Sequence, residues 1–160
     1  MNKTLSTKQM MRYNRHIALP AMDIDGQEKL LNSHILVIGM GGLGCAVAPY
    51  LTAAGVGELT LVDDDTIDRH NLQRQVLFSE QSVGEPKVEA AKRRLQELNG
   101  ETRIQTVNTR VDEDTLEPLV SAATLVVDCC DNLATRNAVN KTCLQHNTPL
   151  VSGSAIRFEG

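Results

Sequence analysis

The chain has 160 residues, 41% hydrophobic and 22% charged, with a formal net charge of -4, which suits one folded domain with its own core. The negative charge, the lack of Trp and an aromatic set of only Tyr13, Tyr50, Phe78 and Phe158 argue against a nucleic-acid binder that neutralises phosphates or stacks bases. No apolar run approaches the roughly 20 residues that span a membrane, and Met1 to His16 lacks the apolar core of a signal peptide, so a cytoplasmic protein without membrane or nucleic-acid partners is expected.

Ser6-Thr7-Lys8-Gln9 has the capping-box pattern and predicts a short helix through Met10, Met11 and Tyr13 to about Arg15. Pro20 breaks that pattern. Asp25-Gly26-Gln27-Glu28 reads as a second capping box opening a helix through Leu30 and Leu31, so residues 1–32 form an N-terminal helical arm. Then the period changes. His34-Ile35-Leu36-Val37-Ile38 is an apolar run ended by glycines, the mark of a strand buried on both faces. A helix over 46–54 and a strand over 59–62 follow. Residues 63–84 are polar and irregular, and a loop of that length in a compact domain usually carries function. Pro86 suits a first helical turn, and Val88, Ala91, Leu95 and Leu98 fall at helical spacing after Lys87. A strand over 104–107, a short helix over 116–121, a strand over 125–127, a helix capped by Asn132 and running to about His146, and a strand over 150–151 complete the pattern. Strands alternating with helices predict an α/β fold, a doubly wound and mainly parallel sheet, over residues 33–160.

The four cysteines, Cys45, Cys129, Cys130 and Cys143, form no C-x-x-C pair. Cys129 and Cys130 are neighbours and are expected on opposite faces of a strand. All four read as small buried hydrophobes, with no zinc site in this chain.

Gly39-Met40-Gly41-Gly42-Leu43-Gly44 follows the first strand and opens a helix. Glycines let backbone N–H groups approach a phosphate, and the helix N-terminus favours an anion. Asp63 closes the next strand, at the separation from which an acidic side chain reaches ribose hydroxyls. A bound nucleotide follows from the two together. They leave open which one, and a nicotinamide-dependent oxidoreductase is the plain alternative. The loop from Asp63 onward speaks against it. Hydride transfer needs no cations near the phosphates, whereas attack on an α-phosphate does, and Arg74 and Lys87 are placed to supply them. Both lie in or beside a polar loop, so neither is expected to fill core volume. Lys87 opens a helix, where a cation opposes the dipole. Asp128-Cys129-Cys130-Asp131-Asn132 ends the fourth strand, on the edge where ligands bind. A carboxylate there suits Mg²⁺, which shares its coordination with phosphate and water.

In order, GxGGLG, DxDxxxxxNLxRQ, GxPK and DCxDN followed by Arg136 resemble the MoeB/ThiF/HesA family of adenylyltransferases, relatives of the ubiquitin-activating enzymes. Arg12-Tyr13-Asn14-Arg15, Gly26-Gln27 and Ser152-Gly153-Ser154-Ala155-Ile156-Arg157 match as well, so the likeness covers essentially the whole chain. The resemblance implies the Rossmann-like, ATP-binding half of an adenylation domain, which would activate the C-terminal glycine carboxylate of a ubiquitin-like sulfur-carrier protein. It implies nucleotide contacts from Gly39, Gly41, Gly42, Gly44, Asp63, Asp65, Asn71, Arg74, Lys87, Asp131 and Asn132, with Asp63 on the ribose and Asp131 holding Mg²⁺. Arg15 would reach the γ-phosphate in the partner subunit, which makes the enzyme a homodimer with composite sites. The catalytic set it implies is Arg15, Arg74, Lys87 and Asp131. A separate sulfur donor would complete the pathway. Ser152 to Gly160 is most similar to the molybdopterin-synthase branch, while Ala134-Thr135-Arg136 also fits the thiamine-pathway branch. A module retained only to bind partners is a third reading. Family members continue into carrier-docking strands and two CxxC pairs that hold structural zinc. The 160 residues contain neither, so the end at Phe158-Glu159-Gly160 is expected to be a truncation.

Overall fold

The computed structural model describes residues 2–157, 159 and 160; Met1 and Phe158 lie outside that set. Near the end of the chain an isolated antiparallel bridge joins Ile156 and Glu159. The elements run α1 (Thr7–Arg12), α2 (Asn14–Ile17), α3 (Asp23–Leu31), β1 (His34–Ile38), α4 (Gly42–Ala54), β2 (Glu58–Val62), α5 (Lys87–Leu98), β3 (Arg103–Val107), α6 (Glu113–Ala122), β4 (Leu125–Asp128), α7 (Leu133–His146) and β5 (Leu150–Ser152). All strand pairs are parallel, in the order β3-β2-β1-β4-β5. The chain therefore winds outward from β1 in one direction through β3, then returns to the other side of β1 with β4. That reversal opens a crevice at the carboxyl ends of β1 and β4.

Alternation along the strands feeds two cores. Ile35 and Val37 of β1, with Leu59 and Leu61 of β2, pack against Ala48 of α4 and Val88, Ala91 and Leu95 of α5. Leu36, Ile38 and Val62 face the other way, onto Leu116 and Val120 of α6 and Val139 and Cys143 of α7. Both faces of β1 are thus covered, which accounts for its unbroken apolar run.

Two helical expectations need correction. The first helix stops at Arg12, and residues 14–17 form a separate turn. Tyr13, 4% exposed, turns inward at the break. Burial of that ring, rather than helix propensity, sets the boundary. The third helix starts at Asp23, not after a capping Asp25; no side chain caps it, and Asp25 sits in its first turn, where a carboxylate complements the dipole.

The arm packs on the edge of the sheet opposite the crevice. Asn99 Nδ2, just beyond α5, donates to the Tyr13 hydroxyl at 2.9 Å and to the Thr52 carbonyl of α4 at 2.9 Å. Gln27 Nε2 donates to the Ala54 carbonyl at 2.8 Å, and its Oε1 meets His16 Nδ1 at 2.9 Å. Both ties reach the carboxyl ends of helices that begin at the crevice.

Cys45, Cys130 and Cys143 are buried as expected, while Cys129 is half-buried. Cys129 joins the α4–α5 core and Cys130 the α6–α7 core, so the adjacent pair points to opposite faces. Burial is the main cause that pushes the thiols up, Cys45 to about 12 and Cys129 to about 11, with Cys130 and Cys143 also raised. A raised thiol stays protonated, and so unreactive, until pH approaches its folded value. Native labelling with a disulfide reagent at pH 8 is therefore expected to be slow at all four sites and fast only after unfolding; a thiol that reacts at once at pH 8 would contradict this packing. Asn99→Ala leaves the Tyr13 hydroxyl without its donor, while the Thr52 carbonyl keeps the Gly55 N–H at 3.2 Å; it is expected to lower stability by about 1–3 kcal/mol in urea unfolding, against about 1 kcal/mol for Tyr13→Phe, which leaves the Thr52 bond intact.

Candidate active site

The crevice is floored by the turn from β1 into α4. Gly39 has φ +93°, and a Cβ there would come within 2.9 Å of the Cys129 carbonyl oxygen at the end of β4. At Gly44 a Cβ would meet the Gly39 carbonyl oxygen at 2.0 Å. These two glycines are required by the fold itself. Gly41 and Gly42 are not: a Cβ at either would find nothing nearer than Gln75 Nε2 at 3.9 Å and Arg74 Cγ and Cδ at 3.8 Å. Internal packing leaves their bare backbone unexplained, while a ligand seated against it supplies a reason. No side chain caps the start of α4 at Gly41, so its first N–H groups face the crevice and suit an anion.

Asp63 follows β2 and is half-buried. Its Oδ2 accepts from the Met40 N–H at 2.6 Å and its Oδ1 from the Asp65 N–H at 2.8 Å. Burial pushes its carboxyl above the ordinary 3.8, and those two N–H groups together with Lys87 pull it back. Carboxylate oxygens of Asp63, Asp64 and Asp65 lie within 4.8 Å of one another, the only group of three such ligands among the described residues.

The stretch after Asp63 is ordered. An isolated antiparallel bridge joins Thr66 to Pro86, and two 3-10 turns, Arg69–Asn71 and Glu80–Ser82, shape the rest. The bridge folds the start of α5 back over the aspartates, with Lys87 N–H donating to the Asp65 carbonyl at 3.0 Å. That fold-back overturns one expectation. Lys87 is not a solvent-side cation: it is 4% exposed, and its Nζ donates to Asp65 Oδ2 at 2.8 Å. Asp65 offsets the unfavourable position of an ammonium at a helix start. Arg74 does stay exposed, with its stem across from Gly42. Asn71 is 6% exposed, its Oδ1 accepting from the Asp68 N–H at 2.9 Å. His70 is exposed and pairs with Asp68.

At the end of β4, the two aspartates of the DCxDN run divide. Asp128 is fully buried and occupied: its Oδ1 accepts from the Cys130 N–H at 3.0 Å and its Oδ2 from the Ser152 hydroxyl at 2.7 Å. Arg136 of α7 binds around it, donating to the carbonyls of Cys130 at 2.6 Å and Gly153 at 2.8 Å and to Ser152 Oγ at 3.0 Å. Asp131 is exposed and makes no ion pair or hydrogen bond with the described residues, which leaves its carboxylate free for a cation. Asn132 caps α7, its side chain accepting from the Thr135 N–H at 2.9 Å.

The structure thus gathers the glycine turn, Asp63, Arg74, Lys87 and the end of β4 along one edge of the sheet. Arg15 is elsewhere. It lies between Tyr13 and His16, which are tied to the far ends of α4 and α5. The 13 residues of α4 separate it from the glycine turn by roughly 20 Å, at about 1.5 Å per residue. Sequence reasoning gave no role to the Asp128–Arg136–Ser152 cluster or to Gln75. A charged residue within an apolar strand end was the one available sign of the first.

Over 156 residues the chain is 51% identical to the molybdopterin-synthase adenylyltransferase of Escherichia coli K12, covering 98% of this chain and 63% of that protein. It is 43% identical, over 98% of its length and 62% of the relative's, to the sulfur carrier protein ThiS adenylyltransferase of the same organism. Among solved structures, the E. coli tRNA N6-threonylcarbamoyladenosine dehydratase TcdA in complex with ATP superposes with a TM-score of 0.87 at 27% identity, covering 97% of this chain and 65% of that one. The chain spans a little under two thirds of the length of these curated relatives. The ThiF family pattern matches residues 13–160, and the chain belongs to the ThiF family.

Proposed function

We propose that this chain is the nucleotide-binding part of a homodimeric enzyme that uses ATP to adenylate the C-terminal glycine carboxylate of a ubiquitin-like sulfur-carrier protein. The small subunit of molybdopterin synthase is the first candidate carrier and the thiamine-pathway carrier the second. The observation that carries this reading is the convergence of Arg74 and Lys87 with the uncapped start of α4 at the switch point. The printed activities of the two relatives support adenylyl transfer over hydride transfer.

In the reaction, a carrier carboxylate oxygen attacks the α-phosphorus. That O–P bond forms as the bond to the bridging oxygen of pyrophosphate breaks, and the leaving group takes the electron pair. A carboxylate is already a nucleophile, so no general base is required, and exposed His70 is left without a catalytic task. What the protein must supply is charge and position. The first amides of α4 and the Asp63 carboxylate seat the nucleotide, with the carboxylate toward the ribose. Arg74, Lys87 and the amide of Asn71 face the negative charge that shifts toward pyrophosphate. Asp131, free and at the strand end, would hold a Mg²⁺, which would supply positive charge against the phosphates. A donor of sulfide-level sulfur would then attack the acyl carbon, and the C–O bond to AMP would break as the C–S bond of the thiocarboxylate forms. Arg15 is too distant from the glycine turn of its own chain, so any contact it makes with a γ-phosphate comes across a dimer interface. Among the described residues no helix is long and apolar enough to cross a membrane.

Calorimetric titration is expected to show ATP binding more tightly than NAD, with Mg²⁺ strengthening ATP and Asp131→Asn removing much of that gain; tighter NAD binding would sink the adenylation reading. In ATP–pyrophosphate exchange by the full-length enzyme with each candidate carrier, Arg74→Ala is expected to lose on the order of a hundredfold in rate while its stability moves by only about 0.5 kcal/mol. Lys87→Ala should lose activity and also about 1–3 kcal/mol of stability, because it empties a buried site and unpairs Asp65. If exchange falls only in step with melting, the cations are structural. Mixing Arg15→Ala with Asp131→Ala chains should restore activity in up to about a quarter of sites if random mixed dimers complete one site each. No recovery after proven subunit exchange would count against the composite site.

A further inference from the structure

We infer that Gln75 is a further nucleotide-contacting residue, its side-chain amide donating a hydrogen bond to the phosphate chain seated on the glycine turn; this rests on the ATP reading above. Gln75 is 2% exposed, yet its Oε1 is buried with no hydrogen-bond partner. Of the buried side-chain oxygens and nitrogens among the described residues, only this one and the Thr102 hydroxyl are left so. The other end of the amide faces the site: Nε2 stands 3.9 Å from where a Cβ on Gly41 would be.

The backbone fixes this placement. Gln75 N–H donates to the Asn71 carbonyl at 3.0 Å, and the Phe78 N–H donates to the Gln75 carbonyl at 3.1 Å. A glutamine that served only to fill space would be replaced at no loss by methionine, which has similar volume and no unpaired oxygen. The lone Oε1 is an acceptor that an anion would not satisfy; what it shows is that the amide is not kept for an internal hydrogen bond, and the end that an anion fits is Nε2, which stands against Gly41. Arg74, the preceding residue, lies across from Gly42 in the same way. The two side chains therefore flank the uncapped start of α4, one with a charged donor and one with a neutral donor. An amide N–H is a donor only, so the chemistry it fits at this turn is an anionic oxygen.

The test uses the chain with ATP, pyrophosphate and adenosine. With ¹⁵N-labelled side chains, the Gln75 amide resonances, identified by their loss in Gln75→Met, are expected to shift with ATP and with pyrophosphate but not with adenosine. In calorimetry Gln75→Met should bind ATP about tenfold more weakly, the loss expected for one hydrogen bond to a charged acceptor. Its adenosine affinity should be unchanged, and its melting temperature equal or higher. Gln75→Asn, which keeps the amide but withdraws it by one methylene, should show the same ATP loss. Should Gln75→Met fail to fold, Gln75→Asn and the wild-type resonances decide the matter. If the wild-type chain binds ATP while both variants match its affinity, or while the resonances stay still, the Gln75 assignment fails and the ATP reading stands. If the wild-type chain does not bind ATP, both fail together.

Discussion

One carboxylate joins the two halves of the site. Asp63 accepts from the Met40 N–H of the glycine turn with one oxygen and from the Asp65 N–H of the following loop with the other. The turn that would cradle phosphates and the loop that brings the cations are thus pinned to a single side chain at the end of β2. Because Asp65 in turn holds Lys87, a shift at Asp63 would move both the first amides of α4 and the buried ammonium. The group carries a desolvation cost for this, visible in its upward-shifted carboxyl. The N–H donors and the nearby ammonium offset part of that cost without removing it.

A second tie does comparable work at the end of β4. Buried Asp128 and Arg136 join three segments: the strand end, the start of α7 and the stretch after β5. With its own charge enclosed, Asp128 is unavailable to a ligand. Three residues later Asp131 is unencumbered. Two aspartates of one short motif are separated in this way into a structural group and a free one, and the backbone between them is fixed by the Arg136 contacts on Cys130.

Much of this was legible in the sequence, for identifiable reasons. The unbroken run in β1 reported a strand covered on both faces, and alternating elements reported the parallel sheet. The spacing of the glycine turn and Asp63 reported that the two lie together at the carboxyl ends of β1 and β2. What the sequence hid depended on contacts between distant residues. Lys87 read as a cation that fills no core volume because nothing local reveals that a bridge between Thr66 and Pro86 folds it over Asp65. Tyr13 read as part of a continuous helix because Asn99, its partner, lies across the domain. Gln75 looked like any polar loop residue until burial left its oxygen alone.

The strand order also governs how the molecule assembles. β1 meets β2 by pairing His34 with Glu58, a short excursion through α4, but it meets β4 by pairing Ile35 with Leu125. No other pair of strands in the sheet joins residues so far apart. Closing that long loop carries the largest chain-entropy cost in the sheet, and distant pairings of this kind slow folding. Since the crevice exists only where those two strands lie side by side, its walls come together at the least local step of the folding reaction. A chain stalled before that step would already have its glycine turn and its cations, and no second wall to face them.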